Sequence, residues 1–171
     1  RMLVVLATGP LSGTLSPGSG RLEIITKSPI TGLFGDSNVG GDFGPELHWA
    51  GYDVVLITGK ANRPVYLWID DGKTELRDAS HLWGKPHGDA VDLVHKELGD
   101  SEIRTLAVGP AAEKGVAFAA AYVGYTSAAG WTGTGAVIAS KNLKLIAVRG
   151  TQGVKLADPT GFEKACWDAT Q

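Results

Sequence analysis

The chain has 171 residues, 43% of them hydrophobic and 20% charged, which reads as one globular domain large enough to bury a core. A formal net charge of −2, with 16 basic residues scattered along the sequence, gives no electrostatic footing for nucleic acid or an acidic membrane surface. No apolar run reaches bilayer-spanning length, and the single cysteine, Cys166, excludes an internal disulfide, a cysteine-built zinc site or a four-cysteine cluster within the chain and fits a reducing compartment.

Met2-Leu-Val-Val-Leu6 opens directly as a strand, expected over 2–8, with no leader visible ahead of it. A second strand is expected over 21–27, after the flexible turn Pro17-Gly-Ser-Gly20. The run Asn38-Val-Gly-Gly-Asp-Phe-Gly44 reads as a glycine-rich turn that feeds a short helix stopped at Gly51. Strands follow at 53–58, 64–70 and 74–77, the last two joined by a hairpin turn at Asp70-Asp71-Gly72. Ala90, Val91, Val94 and Leu98 share one face of a helix over 89–98, ended by Gly99. Further strands are expected at 103–108, 116–122, 144–149 and 154–156. A second glycine-rich turn, Gly130-Trp-Thr-Gly-Thr-Gly135, feeds the helix between them. Asp158-Pro159 then supplies an N-cap and a first-turn proline, followed by Phe162, Ala165, Cys166 and Ala169 at helical spacing. That pattern is interrupted at Gln171, as expected for a piece of a longer protein whose next, helical domain begins at 158.

The two halves resemble each other. Leu6-Ala-Thr-Gly-Pro10 matches Leu106-Ala-Val-Gly-Pro110, and Gly44 to Gly59 matches Gly135 to Gly150 over the same length. A helix stop, Gly51 or Asn142, falls seven residues into each of the latter runs. Short strands dominate without regular strand–helix alternation, so the expected fold is α+β: internally duplicated, mostly antiparallel sheets with a few helices about a pseudo-two-fold axis. Such a platform suits a ligand that is itself doubled.

Chemistry is expected at the two glycine-rich turns. Glycine lets a backbone approach a ligand, and the helix start behind each turn offers free N–H groups to an anion. Neither turn matches a nucleotide fingerprint: a dinucleotide pattern from Gly133 would need glycine at Ile138, and no Gly-Lys-Ser/Thr follows. Arg21, beside a third flexible turn, can grip a phosphate or a fused heterocycle in a fixed fork. The bland alternatives are tight turns with nothing bound and a solvated arginine at a strand end. His48, His81, His87 and His95 lack metal-ligand spacing, and His95 is expected on the polar side of its helix. Glu46 and His48, two positions apart on a helix, do not face each other. No Gly-x-Ser-x-Gly occurs.

Eight runs in order carry a family resemblance: Gly9-Pro-Leu-Ser-Gly-Thr14, Gly20-Arg21, Thr26-Lys-Ser-Pro-Ile-Thr-Gly32, Asn38-Val-Gly-Gly41, Phe43-Gly-Pro-Glu-Leu47, Ala50-Gly-Tyr-Asp53, Asp78-Ala-Ser-His-Leu-Trp-Gly84 and Ser140-Lys-Asn-Leu143. Together they resemble the amino-terminal domain of the aldehyde ferredoxin oxidoreductase family, over essentially the whole chain. The resemblance places that domain at 1–157, without its first segment, and the start of the next at 158–171.

The resemblance implies a function. Enzymes of this family hold tungsten, or molybdenum, between two pyranopterin (molybdopterin) dithiolenes beside a [4Fe–4S] cluster, and oxidise aldehydes to carboxylic acids with ferredoxin as electron acceptor. Their amino-terminal domain is the base on which the paired pterins lie, and a magnesium ion bridges the pterin phosphates. Carried onto this sequence, Arg21 contacts a pterin, Asn38 directs a backbone carbonyl to magnesium, and Gly40 and Gly41 allow close approach. In the second turn Gly130-Trp131-Thr132-Gly133 stands where the family has Gly-Arg, a small residue and Gly. Trp131 lacks the charge but can stack on a flat ring, and Thr132 can present its carbonyl to magnesium. The cluster ligands belong to later domains, so the implied partners are those domains, ferredoxin or an iron–sulfur subunit, and a small aldehyde, with a cytoplasmic location. Two alternatives stay open: a degenerate structural or subunit-interaction domain, and a domain for another phosphate-bearing ligand.

Overall fold

The structure is a computed structural model and describes residues 2–171. Apolar alternation sets its first sheet. β1 (Val4–Thr8) turns Val4 and Leu6 inward, and β2 (Leu22–Lys27) turns Leu22, Ile24 and Thr26 inward. β3 (Phe34–Val39) buries only Gly35, Ser37 and Val39 and leaves Phe34, Asp36 and Asn38 exposed. After α1 (Phe43–Trp49), β4 (Val54–Ile57) completes an antiparallel sheet of order β3-β2-β1-β4.

The second sheet begins with the hairpin β5 (Val65–Asp70) and β6 (Lys73–Asp78). Asp71 and Gly72 both have positive φ (42° and 86°), the backbone that a tight two-residue hairpin turn demands. α2 (His87–Leu98) follows and is stopped by Gly99 at φ 73°. Then come β7 (Arg104–Val108), α3 (Pro110–Glu113), β8 (Ala121–Val123), β9 (Ser127–Ala129), α4 (Thr134–Ser140) and β10 (Leu143–Arg149). The order is β6-β5-β10-β7-β8-β9, and only β5–β10 is parallel. α5 (Pro159–Asp168) is capped by the Asp158 carboxylate, which accepts the Gly161 N–H at 3.0 Å, and buries none of its residues.

The duplication holds residue by residue. Leu6 lies opposite Ile24 and Val55, and Leu106 lies opposite Val123 and Ile146. Ala7 pairs with Glu23 and Val54, and Ala107 with Tyr122 and Leu145. Thus β4-β1-β2-β3 and β10-β7-β8-β9 are one unit built twice, with α1 and α4 in matching places between the third and fourth strands. α1 also packs on β10, and α4 on β1 and β2, so each half closes the other. One cluster of buried side chains runs through both, from Leu6, Ile24, Phe43 and Leu47 to Leu106, Val137, Ile146 and Val148. Full burial of a leucine or phenylalanine here stabilises the fold by about 1.5–3 kcal/mol.

Several sequence expectations shift. β3 has no strand expectation in the sequence, and its last two residues fall in the run read as turn, because its inward residues are small or polar; the three-residue β9 is too short for its pattern to stand out. The strand expected over 116–122 shrinks to Ala121–Val123, because Pro110 at its first turn starts α3 and the chain after it loops before β8. Residues 154–156 form no ladder. His95 is half-buried, its Nε2 hydrogen-bonded with the Ile103 carbonyl at 2.9 Å, rather than on a polar helix face.

Candidate functional site

The first turn is organised by Arg21. Its backbone carbonyl lies 2.8 Å from where a Cβ on Gly44 would sit, so only glycine lets α1 start directly on the Arg21 backbone. Its side chain crosses Gly40, with Nη1 3.0 Å from the Cβ position there. Arg21 is exposed, and among the described residues its guanidinium has no ion-pair partner. An unpaired guanidinium fixed over a bare glycine is free to take an anion or a planar acceptor. Gly41, at φ 105°, is required for a different reason: a Cβ would come within 2.9 Å of Val123 in the other half. Asn38 is exposed on β3 and donates from Nδ2 to Oε2 of Glu23, its cross-strand neighbour, at 2.8 Å.

The second turn has the same logic with different side chains. Gly133 has φ 77°, and a Cβ on it would collide with the Ala117 carbonyl and with Pro29. Gly135 sits so tightly on the Ala120 carbonyl that no side chain fits, as Gly44 sits on Arg21. Hence the place of Arg21 in the second half belongs to Ala120, which brings no charge. Trp131 is the bulky group here, left-handed at φ 71° and 94% exposed. Both features are unfavourable for a large aromatic residue, and outliers of this kind cluster where a ligand or partner is met. Gly130 has nothing within 4 Å of its Cβ position, so the outer side of this turn is open. Thr132 keeps its Oγ1 buried without a hydrogen-bond partner.

The two halves meet where β3 and β9 approach each other, with Gly41 set against Val123 and Ser127 and the second turn set against Gly35 and Ser37. Ser37 Oγ donates to the Gly130 carbonyl at 3.0 Å, and Gly35 lets Thr132 close, its Cβ position being 3.2 Å from the threonine Cβ. The structure therefore brings Asn38, Gly40, Gly41, Trp131, Thr132 and Gly133 onto one seam between the halves, with Arg21 at its first-half end. Sequence reasoning missed Glu23 and Ser37. Glu23 was legible as the residue two beyond Arg21, whereas Ser37 was hidden because the sequence of β3 carries no strand pattern.

Neither helix behind the turns adds much field, since α1 and α4 have seven residues each and no side-chain cap. Any anion would be held by Arg21 and by backbone N–H groups. No group of three or more His, Cys, Asp or Glu side chains gathers among the described residues, so a cation at the seam would depend on backbone carbonyls such as those of Asn38 and Thr132. Glu46 and His48 are separated as expected. Glu46 is buried and accepts from Arg149 Nη1 at 2.8 Å and the Gly150 N–H at 2.9 Å, whereas His48 Nδ1 lies 3.0 Å from Asp53. The Glu46 contact holds the Arg149 guanidinium above its ordinary pKa and anchors α1 to the end of β10.

The family model for the aldehyde ferredoxin oxidoreductase N-terminal domain matches residues 1–150. The tungsten-containing aldehyde ferredoxin oxidoreductase of Pyrococcus furiosus is 46% identical over 93% of this chain, and that of Pyrococcus abyssi 48% over the same share. The WOR-like subunit of an aliphatic sulfonate oxidoreductase from Pyrococcus furiosus is 36% identical over 87% of the chain. Each match takes up 26% of the relative, so the chain spans about a quarter of their length. Among solved structures, the active-site complex BamBC of benzoyl coenzyme A reductase, with 1,5-dienoyl-CoA, superposes at a TM-score of 0.95 with 38% identity, over 99% of this chain and 26% of that one. With its glycine-rich turns meeting across a duplicated sheet, the chain belongs to the aldehyde ferredoxin oxidoreductase family and corresponds to its N-terminal domain.

Proposed function

We propose that this domain is the cofactor platform of a bis-pyranopterin oxidoreductase, carrying tungsten or molybdenum, that oxidises aldehydes to carboxylic acids and passes electrons to ferredoxin. The observation that carries the proposal is the seam: two quasi-equivalent turns, one roofed by the Arg21 side chain at Gly40 and the other open at Gly130, in halves tied together by Ser37 and Gly130, suit a ligand made of two like halves. The residues present fit such a group. Arg21 offers a free guanidinium to one pterin, Trp131 offers a bare ring face to the other, and Gly40, Gly41 and Gly133 keep the backbone low enough for close approach. Carbonyls of Asn38 and Thr132 would meet a magnesium ion between phosphates.

When bound, the metal supplies the two-electron chemistry; the part of this chain is orientation and charge compensation. A [4Fe–4S] cluster would take its cysteines from beyond these residues. The domain proper is assigned to 1–157, since α5 is capped at Asp158 and buries nothing, as a helix does when it belongs to the next domain. Other domains of the parent, ferredoxin or an iron–sulfur subunit and a small aldehyde are the proposed partners, in the cytoplasm. No helix among the described residues is long and apolar enough to cross a membrane.

The test is elemental analysis of the full-length protein purified without oxygen. Expected is about one tungsten or molybdenum and roughly four irons per chain. Iron without either heavier metal, after expression with both metals and pterin synthesis present, would replace this proposal with a degenerate platform, which the uncharged second turn favours.

A further inference from the structure

We infer that His87, Asp92, Tyr122 and Tyr125 form a clamp by which α2 positions the β8–β9 turn and, through it, the first glycine-rich turn across the seam. The inference rests on the reading of the seam as a cofactor site. The four are positioning residues, because they act through the turn rather than on a ligand.

His87 is the first residue of α2, and its ring lies flat on that of Tyr122 from β8, with centroids 4.1 Å apart and planes 7° from parallel. Its Nε2 is 3.0 Å from the Tyr125 carbonyl. A carbonyl can only accept, so the proton of this contact sits on Nε2. Further along the same helix, Asp92 Oδ1 accepts from the Tyr125 hydroxyl at 2.6 Å. That hydrogen bond holds the hydroxyl above its ordinary pKa and so keeps it a donor. The Cβ position of Gly88 is 3.6 Å from the Tyr125 ring, which therefore lies close on the helix. α2 is itself fixed to the sheet through Ala90, Val91 and Val94, all buried.

The turn depends on this outside support. In the first half, the corresponding turn after β2 ties itself: the Ser28 N–H donates to Leu33, the Gly32 N–H to Ser28, and Ser28 Oγ accepts from the N–H groups of Ile30 and Thr31. Gly124 to Thr126 closes no bond of that kind within itself among the described residues. Packing does not hold it either: a cavity of about 270 Å³ is lined by Gly124, Tyr125 and Thr126 together with Gly41, His95 and Thr105. Thr105 is 2% exposed, and its hydroxyl has no partner. The residues flanking the turn are those on which Gly41 rests, its Cβ position being 2.9 Å from Val123 and 3.6 Å from Ser127 Oγ. A shift of the turn therefore passes to Gly41 and, along β9, to Gly130. The clamp thus sets the spacing of the two glycine-rich turns from a helix outside the seam.

The experiment compares full-length Tyr125→Phe, Asp92→Ala and Asp92→Asn with the parent, by amide exchange mapped by mass and by loss of tungsten or molybdenum on dilution. In Tyr125→Phe and Asp92→Ala, exchange over 38–42 and metal loss should each rise about tenfold, the scale of a lost hydrogen bond to a charged group. Melting temperature and exchange over 90–94 should stay as in the parent, and Asp92→Asn, which keeps an acceptor for the hydroxyl, should behave as the parent does. A rise confined to 122–127, which a merely local contact would give, overturns the inference. So does parental metal loss despite faster exchange over 38–42, or faster exchange throughout the chain with a lowered melting temperature. A parent holding neither tungsten nor molybdenum would instead refute the cofactor reading, and exchange over 38–42 would by itself decide the clamp.

Discussion

Arg21 and Trp131 show how one backbone device can carry two chemistries. Both belong to the glycine-rich turns, yet they come from different points of the repeat: Arg21 from just before β2, reaching over Gly40, and Trp131 from within the turn before α4. The first half therefore presents charge and the second a ring face, so a ligand of two like halves would be held asymmetrically. A charge-assisted hydrogen bond contributes about 1.5–3 kcal/mol, or roughly ten- to a hundredfold in affinity. Arg21→Ala in the full-length protein should lower bound tungsten or molybdenum accordingly, with unchanged melting temperature because the side chain is exposed and unpaired. Arg21→Lys should recover only part, since an ammonium lacks the planar fork. Metal content equal to the parent in both variants would remove Arg21 from the site.

The elements were legible where burial is apolar and hidden where it is not. β1, β2, β5 and β10 announce themselves through branched residues, and α2 through its apolar stripe and Gly99. β3 escaped because Gly35 and Ser37 face inward so that Thr132 and Gly130 can approach, a need set by the other half of the chain and invisible locally. Of the site, the glycines, Arg21 and the duplication could be read; the packing reasons for Gly41 and Gly133 could not, because their partners Val123 and Ala117 lie far along the sequence. The Ser-Lys-Asn run at 140 proves architectural: Lys141 Nζ donates to the carbonyls of Met2 and Gly59, and Asn142, at φ 58°, donates to Ala61. The contact between α2 and β5 has its own signature. Tyr66 is fully buried and donates to Glu97 at 2.7 Å, and burial, reinforced by that carboxylate, pushes its pKa up to about 12 from 10.0. A raised folded pKa means stability fully present below pH 10 and lost as pH rises from 10 toward 12, by about 2–3 kcal/mol at 1.36 kcal/mol per unit. Tyr66→Phe should flatten that part of the alkaline melting-temperature profile. An identical slope in parent and variant would mean that Tyr66 ionises as readily folded as unfolded.

The whole molecule is two copies of one unit that cannot close separately. α1 rests on β10 and α4 on β1 and β2, and Glu46 in the first half satisfies both Arg149 and the Gly150 N–H in the second. Removing one partner of such a buried charged contact costs about 3–5 kcal/mol. Opening either half would strand this pair and split the shared core from Leu6 to Val148. The two halves should therefore open as one cooperative unit despite their repeat. Native-state hydrogen exchange on the full-length protein with rising denaturant measures this directly. The slowest amides of β1 and of β10 should report the same opening free energy and the same denaturant dependence. If β1 instead exchanged through a smaller opening with a shallower dependence, the halves would be separable modules, and the seam between them a hinge able to change the spacing of the two turns. A rigid seam has the opposite consequence: one fixed spacing between Arg21 and Trp131, and selection of the ligand by the distance between its two halves.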